Sequence, residues 1–407
     1  MRNILRKVAI HNLGCKVNSY EAESMELMLS EAGYEIVPFD ENILADVYII
    51  NTCSVTNIAD RKSRQMLHKA KKMNPEAVVI AAGCYVQADE DGVKKDDAVD
   101  IVLGNNVKIN IVDMKSNKRP IAVMIDNNVG NNSHVGLQDA YISYEIIVEG
   151  GLTRIMALYK DKDMSQVGPI RSSRHYFLDY ALESDAIYSH FGWSSYAEND
   201  IKSLGVNNIN GLTNESAYWR DKAIRAPHNV FTSSSKLYAA ANKFGYSVES
   251  NNWQLLTYSP SAINFNGNCG DTGCSNGVEV ANSINIVYSN SQSSQSVYDS
   301  DKATYLRSMN NLKHVDKISG EQYSYKNIII ERVTNKTLDS YGRQDLDTVG
   351  TGDGFYITNG YARTIKWEKS SRKSKTKYKY SDGTEVVVND GNTFIQIIPV
   401  YAEVTLS

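Results

Sequence analysis

The sequence predicts an α/β N-terminal domain with three layers around a parallel sheet, followed by a second α/β domain and a C-terminal all-β domain. Short β-branched runs alternate with helical patterns at the start, the composition changes near residue 115, and short alternating runs separated by turn pairs fill the last third. A chain of 407 residues is long enough for about three domains. We therefore expect domains at 1–114, 119–258 and 284–407, with a cysteine-containing linker at 259–283.

Three apolar runs, at residues 7–13, 46–51 and 77–82, predict the strands of the first domain. A cysteine follows each of them: Cys15, Cys53 and Cys84. The carboxyl ends of parallel strands meet at one edge of a sheet, so we expect the three thiols to lie together. Three thiolates can hold a 4Fe-4S cluster with one iron left open, since a closed cluster usually takes four cysteines. The alternative is that these small apolar residues only pack at the strand ends.

The segments between these strands have the pattern of amphipathic helices. Asn18 and Glu21 form a capping-box-like start, and Gly33 provides a left-handed stop. A second helix is predicted to begin at Asn57 and to end before Pro75. Its outer face carries Arg61, Lys62, Arg64, Lys69, Lys71 and Lys72. This stripe can meet RNA phosphate, but a solvated basic face is the alternative because the net charge of the chain is -4.

The sequence around the three cysteines resembles the N-terminal domain of the tRNA and ribosomal-protein methylthiotransferases, most of all the MtaB type. The matching segments are 12–21 (NLGCKVNSYE), 50–56 (INTCSVT), 82–87 (AGCYVQ) and 99–104 (VDIVLG). The resemblance implies that Cys15, Cys53 and Cys84 hold an auxiliary 4Fe-4S cluster that takes part in sulfur insertion. It also implies a tRNA partner that carries threonylcarbamoyladenosine.

That family continues with a radical S-adenosylmethionine barrel, whose C-x-x-x-C-x-x-C loop holds a second cluster. No such loop occurs in this sequence, in which Cys269 and Cys274 are the other cysteines. We therefore expect an iron–sulfur module of a methylthiotransferase that is inactive alone.

The predicted second domain contains a candidate anion site. Strands are predicted at 121–125, 146–148, 154–159 and 187–190, with helices after Ser172 and Ser194 and over 233–244. The two serine helix starts lie beside basic or imidazole side chains, and helix amino ends attract anions. The predicted anion ligands are Arg171, Arg174, His190 and His228, with Arg220 and Arg225 nearby.

Two other interpretations of these residues stay open. In the first, the arginines and serines cap helices and pair with Glu145, Glu149 and Asp179. In the second, Ser194 is a hydrolase nucleophile with His190 or His228 as the base, although the last glycine of the G-x-S-x-G elbow is absent.

The last third of the chain predicts a small β sandwich or barrel. The predicted strands are 284–288, 303–307, 327–332, 354–358, 364–367, 375–380, 384–388 and 394–399. Before them, Cys269 and Cys274 lie in a glycine-rich loop. They can close a small disulfide ring in an oxidising compartment and stay free thiols in a reducing one. A two-thiolate metal clip would lack further ligands.

The segment from about 119 to 400 resembles the YerB-like bacterial lipoproteins, a family of unknown molecular function. The matching segments include 119–127 (RPIAVMIDN), 144–151 (YEIIVEGG), 168–174 (GPIRSSR) and 226–229 (APHN). The resemblance implies an exported protein and offers an alternative function, the binding of an anionic ligand or wall polymer at the cell envelope. The first residues, however, do not have the pattern of a signal peptide, and no run approaches the roughly 20 apolar residues of a membrane span. For the chain as written we expect a cytoplasmic location.

Overall fold

The computed structural model describes residues 6–13, 22, 25–26, 29–30, 33–52, 57–83, 86, 90–103, 117–128, 133–252, 254–259, 262–270 and 273–407. The chain divides into two compact units, Met1–Ser116 (unit 1) and Asn117–Ser407 (unit 2). The division falls at the change in composition near residue 115.

Unit 1 is built on a parallel sheet. Its strands are β1 (Lys7–Asn12), β2 (Glu35–Val37), β3 (Val47–Thr52), β4 (Val78–Gly83) and β5 (Ile101–Leu103), and its helices include α1 (Asn57–Met73) and α2 (Glu90–Lys94). The strand order is β2-β1-β3-β4-β5, and every pair of neighbours is parallel. The three apolar runs of the sequence are the central strands of this sheet, so the predicted parallel α/β fold is confirmed.

Apolar side chains cover both faces of this sheet. On one face, Leu67 and Ala70 of α1 pack against a buried layer that includes Tyr48 and Val79. On the other face, the helical residue Met25 packs against Val8 and other sheet residues. The sequence of a parallel strand that is covered on both faces is almost continuously apolar, as in the three runs. The predicted capping residues Asn18 and Glu21 lie outside the described residues.

Unit 2 contains many more strands than helices. Its helices are α3 (Phe177–Glu183), α4 (Ser195–Leu204) and α5 (Ser234–Lys243), with short 3₁₀ helices at Leu137–Asp139, Glu149–Gly151, Glu215–Ala217 and Asn266–Asn268. In its first part the strands are β6 (Ile121–Asp126), β7 (Ile142–Ile147), β8 (Thr153–Tyr159), β9 (Ile187–His190), β10 (Asn208–Asn210), β11 (Trp219–Arg220), β12 (Val230–Phe231) and β13 (Thr257–Ser259). Among the helices that the structure describes in either unit, none has the length and apolar character needed to cross a membrane.

The remaining strands of unit 2 follow residue 268. They are β14 (Cys269–Gly270), β15 (Gly273–Cys274), β16 (Val278–Val280), β17 (Ser283–Ser289), β18 (Gln292–Asp299), β19 (Thr304–Met309), β20 (Leu312–Lys313), β21 (Ser324–Tyr325), β22 (Asn327–Val333), β23 (Asn335–Thr337), β24 (Gln344–Leu346), β25 (Gly350–Thr358), β26 (Tyr361–Lys369), β27 (Lys377–Lys379), β28 (Val387–Asn389), β29 (Thr393–Pro399) and β30 (Glu403–Leu406). Most of the strands predicted for this segment therefore exist, with shifted ends.

One sheet of 11 strands runs through both parts of unit 2. Its order is β10-β9-β6-β8-β7-β29-β22-β25-β26-β16, with β27 beside β26. Strand β29, from the end of the chain, pairs in parallel with β7 on one side and with β22 on the other. All seven residues of β29 are buried, so this strand needs neighbours on both sides. The prediction of an α/β domain and a separate all-β domain therefore requires correction, because the two segments share one sheet.

A smaller sheet of six strands completes unit 2. Its order is β20-β19-β18-β17-β30, with β21 beside β19. The sequence patterns missed β18, whose buried positions are Gln292, Ser294 and Ser296. One of these polar side chains, Ser294, accepts a hydrogen bond from the buried guanidinium of Arg307 at 3.1 Å. An alternation of apolar and polar residues therefore could not reveal this strand.

Candidate functional site

The ends of three adjacent strands form the candidate site of unit 1. Cys15, Cys53 and Cys84 lie outside the described residues, but the strands that lead to them are described. Cys53 directly follows Thr52, the last residue of β3, and Cys84 directly follows Gly83, the last residue of β4; these two strand ends are paired in register. Cys15 comes three residues after Asn12, the last residue of β1, which is paired with Asn51. The chain therefore leaves the same edge of the sheet toward all three cysteines.

Strands β3 and β4 approach each other closely at this edge. Gly83 has a φ of +112°, and a Cβ there would lie 2.2 Å from the carbonyl oxygen of Thr52. Glycine tolerates this backbone conformation and this approach. The hydroxyl of Thr52 also donates to the carbonyl oxygen of Ala82 at 2.6 Å. These contacts fix the spacing of the two strands immediately before Cys53 and Cys84.

In unit 2, the structure brings two of the four predicted anion ligands together on one carboxylate. Arg171 Nε lies 3.1 Å from Asp126 Oδ2, and His228 Nδ1 lies 2.6 Å from the same oxygen. Asp126 is the last residue of β6 and is buried. The backbone N–H of Asn128 donates to Asp126 Oδ1 at 3.1 Å. Both oxygens of this carboxylate therefore have partners.

Arg174 pairs with a different carboxylate, that of Glu149. Its Nε lies 2.5 Å from Glu149 Oε1 and its second terminal nitrogen lies 2.8 Å from Glu149 Oε2, so the pair is bidentate. Burial favours the neutral carboxyl, but the hydrogen bonds and charge of Arg174 outweigh it and hold the pKa of Glu149 below its usual value. Arg174 therefore fits the interpretation in which these arginines pair with acids.

His190 lies in the core and carries no charge toward an anion. Its Nδ1 is 2.8 Å from the carbonyl oxygen of Gly192, and its Nε2 is 3.1 Å from Asn208 Oδ1. Burial lowers the pKa of His190 to about 4, so the ring is neutral at pH 7. Its imidazole acts as a buried structural group.

Ser194 is a helix cap in this structure. Its Oγ accepts a hydrogen bond from the backbone N–H of Ala197 at 3.2 Å, at the start of α4. Both ring nitrogens of His190 lie against other oxygen atoms, those of Gly192 and Asn208, so that histidine does not activate Ser194. The hydrolase interpretation therefore gains no support from this turn.

A small cleft beside Asp126 contains a buried arginine, Arg154, that is not one of the predicted anion ligands. The cleft, called the basic cleft below, has a volume of about 160 Å³ and is lined by Asp126, Asn128, Val148, Glu149, Leu152, Thr153, Arg154 and Arg171. Arg154 is only 8% exposed, and one terminal nitrogen donates to the carbonyl oxygen of Ser172 at 2.6 Å. Burial, and next the charge of Arg174, lower the pKa of Arg154 to about 10, which leaves it protonated at pH 7. A sequence signal existed, since Arg154 is the one charged residue in the run TRIMALY.

The other two cysteines are joined to each other. Cys269 and Cys274 form a disulfide that closes the short hairpin of β14 and β15. Cys269 packs against the core of unit 2. Within the part of the chain that the structure describes, no group of three or more His, Cys, Asp or Glu side chains is arranged to hold a metal ion.

Three family models match the chain. Residues 7–104 match the uncharacterized protein family UPF0004. Residues 109–247 match the DUF3048 N-terminal domain, and residues 284–395 match the DUF3048 C-terminal domain, both of unknown function.

The individual relatives also fall into two groups, one for each unit of the chain, and YerB is similar to the larger part. YerB of Bacillus subtilis (strain 168) is 29% identical over 286 residues, which cover 69% of this chain and 82% of YerB. The crystal structure of the YerB protein from Bacillus subtilis matches with a TM-score of 0.61 and 26% identity, over 71% of this chain and 94% of that one.

The first unit has different relatives. The threonylcarbamoyladenosine tRNA methylthiotransferase MtaB of Bacillus subtilis (strain 168) is 48% identical over 97 residues, which are 24% of this chain and 21% of that enzyme. MtaB of Aquifex aeolicus (strain VF5) is 44% identical over 102 residues, which are 25% of this chain and 24% of the enzyme. The chain thus spans less than a quarter of the length of these two enzymes. It joins a UPF0004 domain, which is homologous to part of MtaB, to the two DUF3048 domains, which are homologous to YerB.

Proposed function

We propose that unit 1 is the iron–sulfur domain of a threonylcarbamoyladenosine tRNA methylthiotransferase, with Cys15, Cys53 and Cys84 as ligands of one 4Fe-4S cluster. The observation that carries the proposal is the common edge reached by β1, β3 and β4, each of which leads directly into a cysteine segment. Neighbouring strands lie about 5 Å apart, so residues that follow three adjacent strands start within reach of one cluster. The similarity to MtaB supports the same assignment.

The donor set fits this group. Thiolates are the usual ligands of iron–sulfur clusters, and three of them leave one iron without a protein ligand. When bound, such a cluster supplies an iron that can take a sulfur ligand from outside. The contribution of the protein is to hold the three thiolates at one edge, where Gly83 lets β4 approach β3 without a clash.

The proposed macromolecular partner of unit 1 is tRNA. The exposed face of α1 carries Arg61, Lys62 and Lys72. Two other basic residues of the helix are paired, since Lys69 lies 2.7 Å from Glu41 and Lys71 lies 2.9 Å from Asp100. Cations on an exposed helix face suit phosphate contacts, which position a nucleic acid without reading its sequence.

Anaerobic reconstitution with iron and sulfide is expected to give about one 4Fe-4S cluster per chain, because a three-cysteine set can hold one cube. Changing Cys53 to Ala should abolish the brown absorbance and most of the bound iron. The matched control is Cys269→Ala, which breaks the Cys269–Cys274 disulfide of unit 2 and should leave the iron content unchanged. Full iron binding by the Cys53 variant, measured by absorbance and iron analysis, would contradict the assignment.

We further propose that this chain alone does not cleave S-adenosylmethionine. Its five cysteines comprise the three of unit 1 and the Cys269–Cys274 pair, which is joined in a disulfide. A second, radical-forming cluster therefore has no three-cysteine ligand set. Incubation with S-adenosylmethionine, reductant and modified tRNA is expected to give no 5′-deoxyadenosine by chromatography, while a complete MtaB enzyme gives it under the same conditions. Formation above the blank by this chain would refute the proposal.

A second candidate function concerns unit 2, which we propose binds an anionic ligand or polymer at the cell envelope. The specific observation is the group of arginines beside Asp126 and Glu149. The Cys269–Cys274 disulfide suits an oxidising compartment, which also favours this candidate. The two candidate functions belong to different units and are tested separately.

A further inference from the structure

The charged groups around the basic cleft do not balance. Arg154, Arg171 and Arg174 are the guanidinium groups, and Asp126 and Glu149 are the carboxylates. Apart from His228, three positive charges therefore face two negative ones. One positive charge in a largely buried cluster is left without a carboxylate, and a buried charge is costly unless it is paired.

Both carboxylates are already committed to other arginines. Glu149 uses both of its oxygens on Arg174. Asp126 Oδ2 is shared by Arg171 and His228, and Asp126 Oδ1 accepts from the backbone N–H of Asn128. Among the residues that the structure describes, no carboxylate oxygen lies within 4.0 Å of the Arg154 side-chain nitrogens. Arg154 is therefore the source of the uncompensated charge.

Arg154 is also held in place. It lies on β8, where its Cα is paired with that of Asp126 on β6. One terminal nitrogen is fixed by the carbonyl oxygen of Ser172, and the side chain lines the cleft. A guanidinium has five N–H donors in a planar fork, so one hydrogen bond leaves most of them available. Arg154 therefore lines the cavity as a pre-organised group, with donors beyond the one that binds Ser172.

The size of the cleft limits the ligand. About 160 Å³ corresponds to roughly five water molecules at about 30 Å³ each. A phosphate group, with five non-hydrogen atoms, has this size, whereas a sugar or base attached to it would have to lie outside. Arginine binds phosphate through two parallel hydrogen bonds, which suits two guanidinium groups that line one small cavity.

We propose that the basic cleft binds a phosphate group of a larger molecule, with Arg154 as the principal ligand and Arg171 as the second. This inference rests on the second candidate function, anion binding by unit 2, and identifies the residues and the chemical class of the ligand. Arg174 is a positioning residue, because it neutralises Glu149 at the edge of the cleft. His190 takes no part.

The proposal is tested on the full chain with inorganic phosphate as the probe, by isothermal titration calorimetry at low ionic strength. Arg154→Gln is expected to weaken phosphate binding about tenfold or more, since hydrogen bonds to charged groups are among the stronger ones. Glu149→Gln is expected to act in the opposite direction and tighten binding severalfold, because it removes a negative charge from the wall of the cleft. Added salt should weaken binding by the parent chain.

Arg363→Gln is the matched control. Arg363 belongs to the same unit but is paired with Asp382 and lies over the ring of Tyr380, so its loss changes the net charge equally without touching the cleft. Circular dichroism establishes whether each variant is folded. If Arg154→Gln does not fold, the expected tighter binding by Glu149→Gln still tests the proposal. Two results would overturn the assignment of the phosphate site to the basic cleft: unchanged binding by Arg154→Gln, or equal weakening by Arg363→Gln. Either result would still leave anion binding by unit 2 in place. No saturable phosphate binding by the parent chain would overturn both.

Discussion

Changing Arg307 to Met is expected to destabilise unit 2 by about 3–5 kcal/mol, which is the usual cost of removing one partner of a buried ion pair. Arg307 and Glu145 have fully buried side chains, and their closest nitrogen and oxygen atoms are 3.0 Å apart. Glu145 Oε1 also accepts from Asn127 and Thr153, and Oε2 accepts from Gln396. Methionine retains much of the length of arginine but removes the charge, so the carboxylate of Glu145 stays buried without its cation.

Urea unfolding followed by circular dichroism measures this loss. Lys202→Met is the matched control, because Lys202 pairs with Glu198 on the exposed side of α4 and exposed pairs contribute at most about 1 kcal/mol. Adding Glu145→Gln to the Arg307 variant should recover part of the stability, since the buried charge is then gone as well. A loss below about 1 kcal/mol in the single variant would show that water or a rearranged partner satisfies Glu145.

Raising the pH from about 5 to about 8 is expected to lower the stability of unit 2 through Glu331. Burial raises the pKa of Glu331 to about 8, whereas the pKa of an unfolded glutamate stays near 4.5. The folded state therefore holds this proton more tightly than the unfolded state. The resulting stabilisation is fully present below about pH 4.5 and is lost as the pH rises through about 8, with a total on the order of 5 kcal/mol.

Glu331→Gln is expected to remove this part of the pH dependence, because glutamine stays neutral at every pH. The free energy of unfolding at pH 5 and pH 8 provides the comparison, and the exposed Glu321→Gln variant provides the control. The hydroxyl group of Tyr378 donates to Glu331 Oε1 and that of Tyr180 donates to Oε2. After the change to glutamine, the amide oxygen can accept from one hydroxyl group and the amide N–H can donate to the oxygen of the other. An equal slope in the parent chain and in Glu331→Gln would assign the pH dependence to other groups.

Local patterns in the sequence predicted those elements whose buried side chains are apolar. The central strands of unit 1 are buried on both faces and read as continuous apolar runs, and β9 was predicted at its observed bounds, Ile187–His190. Strand β18 was not predicted because its inward side chains are polar, among them Ser294, which accepts a hydrogen bond from Arg307. The pairing of β29 with β7 also escaped, since the two strands are about 250 residues apart and hydrophobic periodicity carries no information on partners.

The candidate anion site shows the same limit. The loop with Arg171 and Arg174 was identified from its glycine, proline and serine residues, but their carboxylate partners come from other strands and loops. His190 was included because it precedes a helix start, although its ring points into the core. Arg154 was left out because a strand run predicts packing rather than ligand binding. The balance of charges around a cavity can be counted only when the positions of all the charged side chains around it are known.

The central place of β29 has a consequence for how the protein is made. Strand β7 is complete at residue 147, but its neighbour β29 begins at residue 393. At roughly 5–20 residues per second, a ribosome needs roughly 10–50 seconds to make the intervening chain. For that time the free edge of β7 can pair with a strand of another nascent chain. A truncation before residue 393 removes β29 and leaves this edge of β7 without the strand that pairs with it.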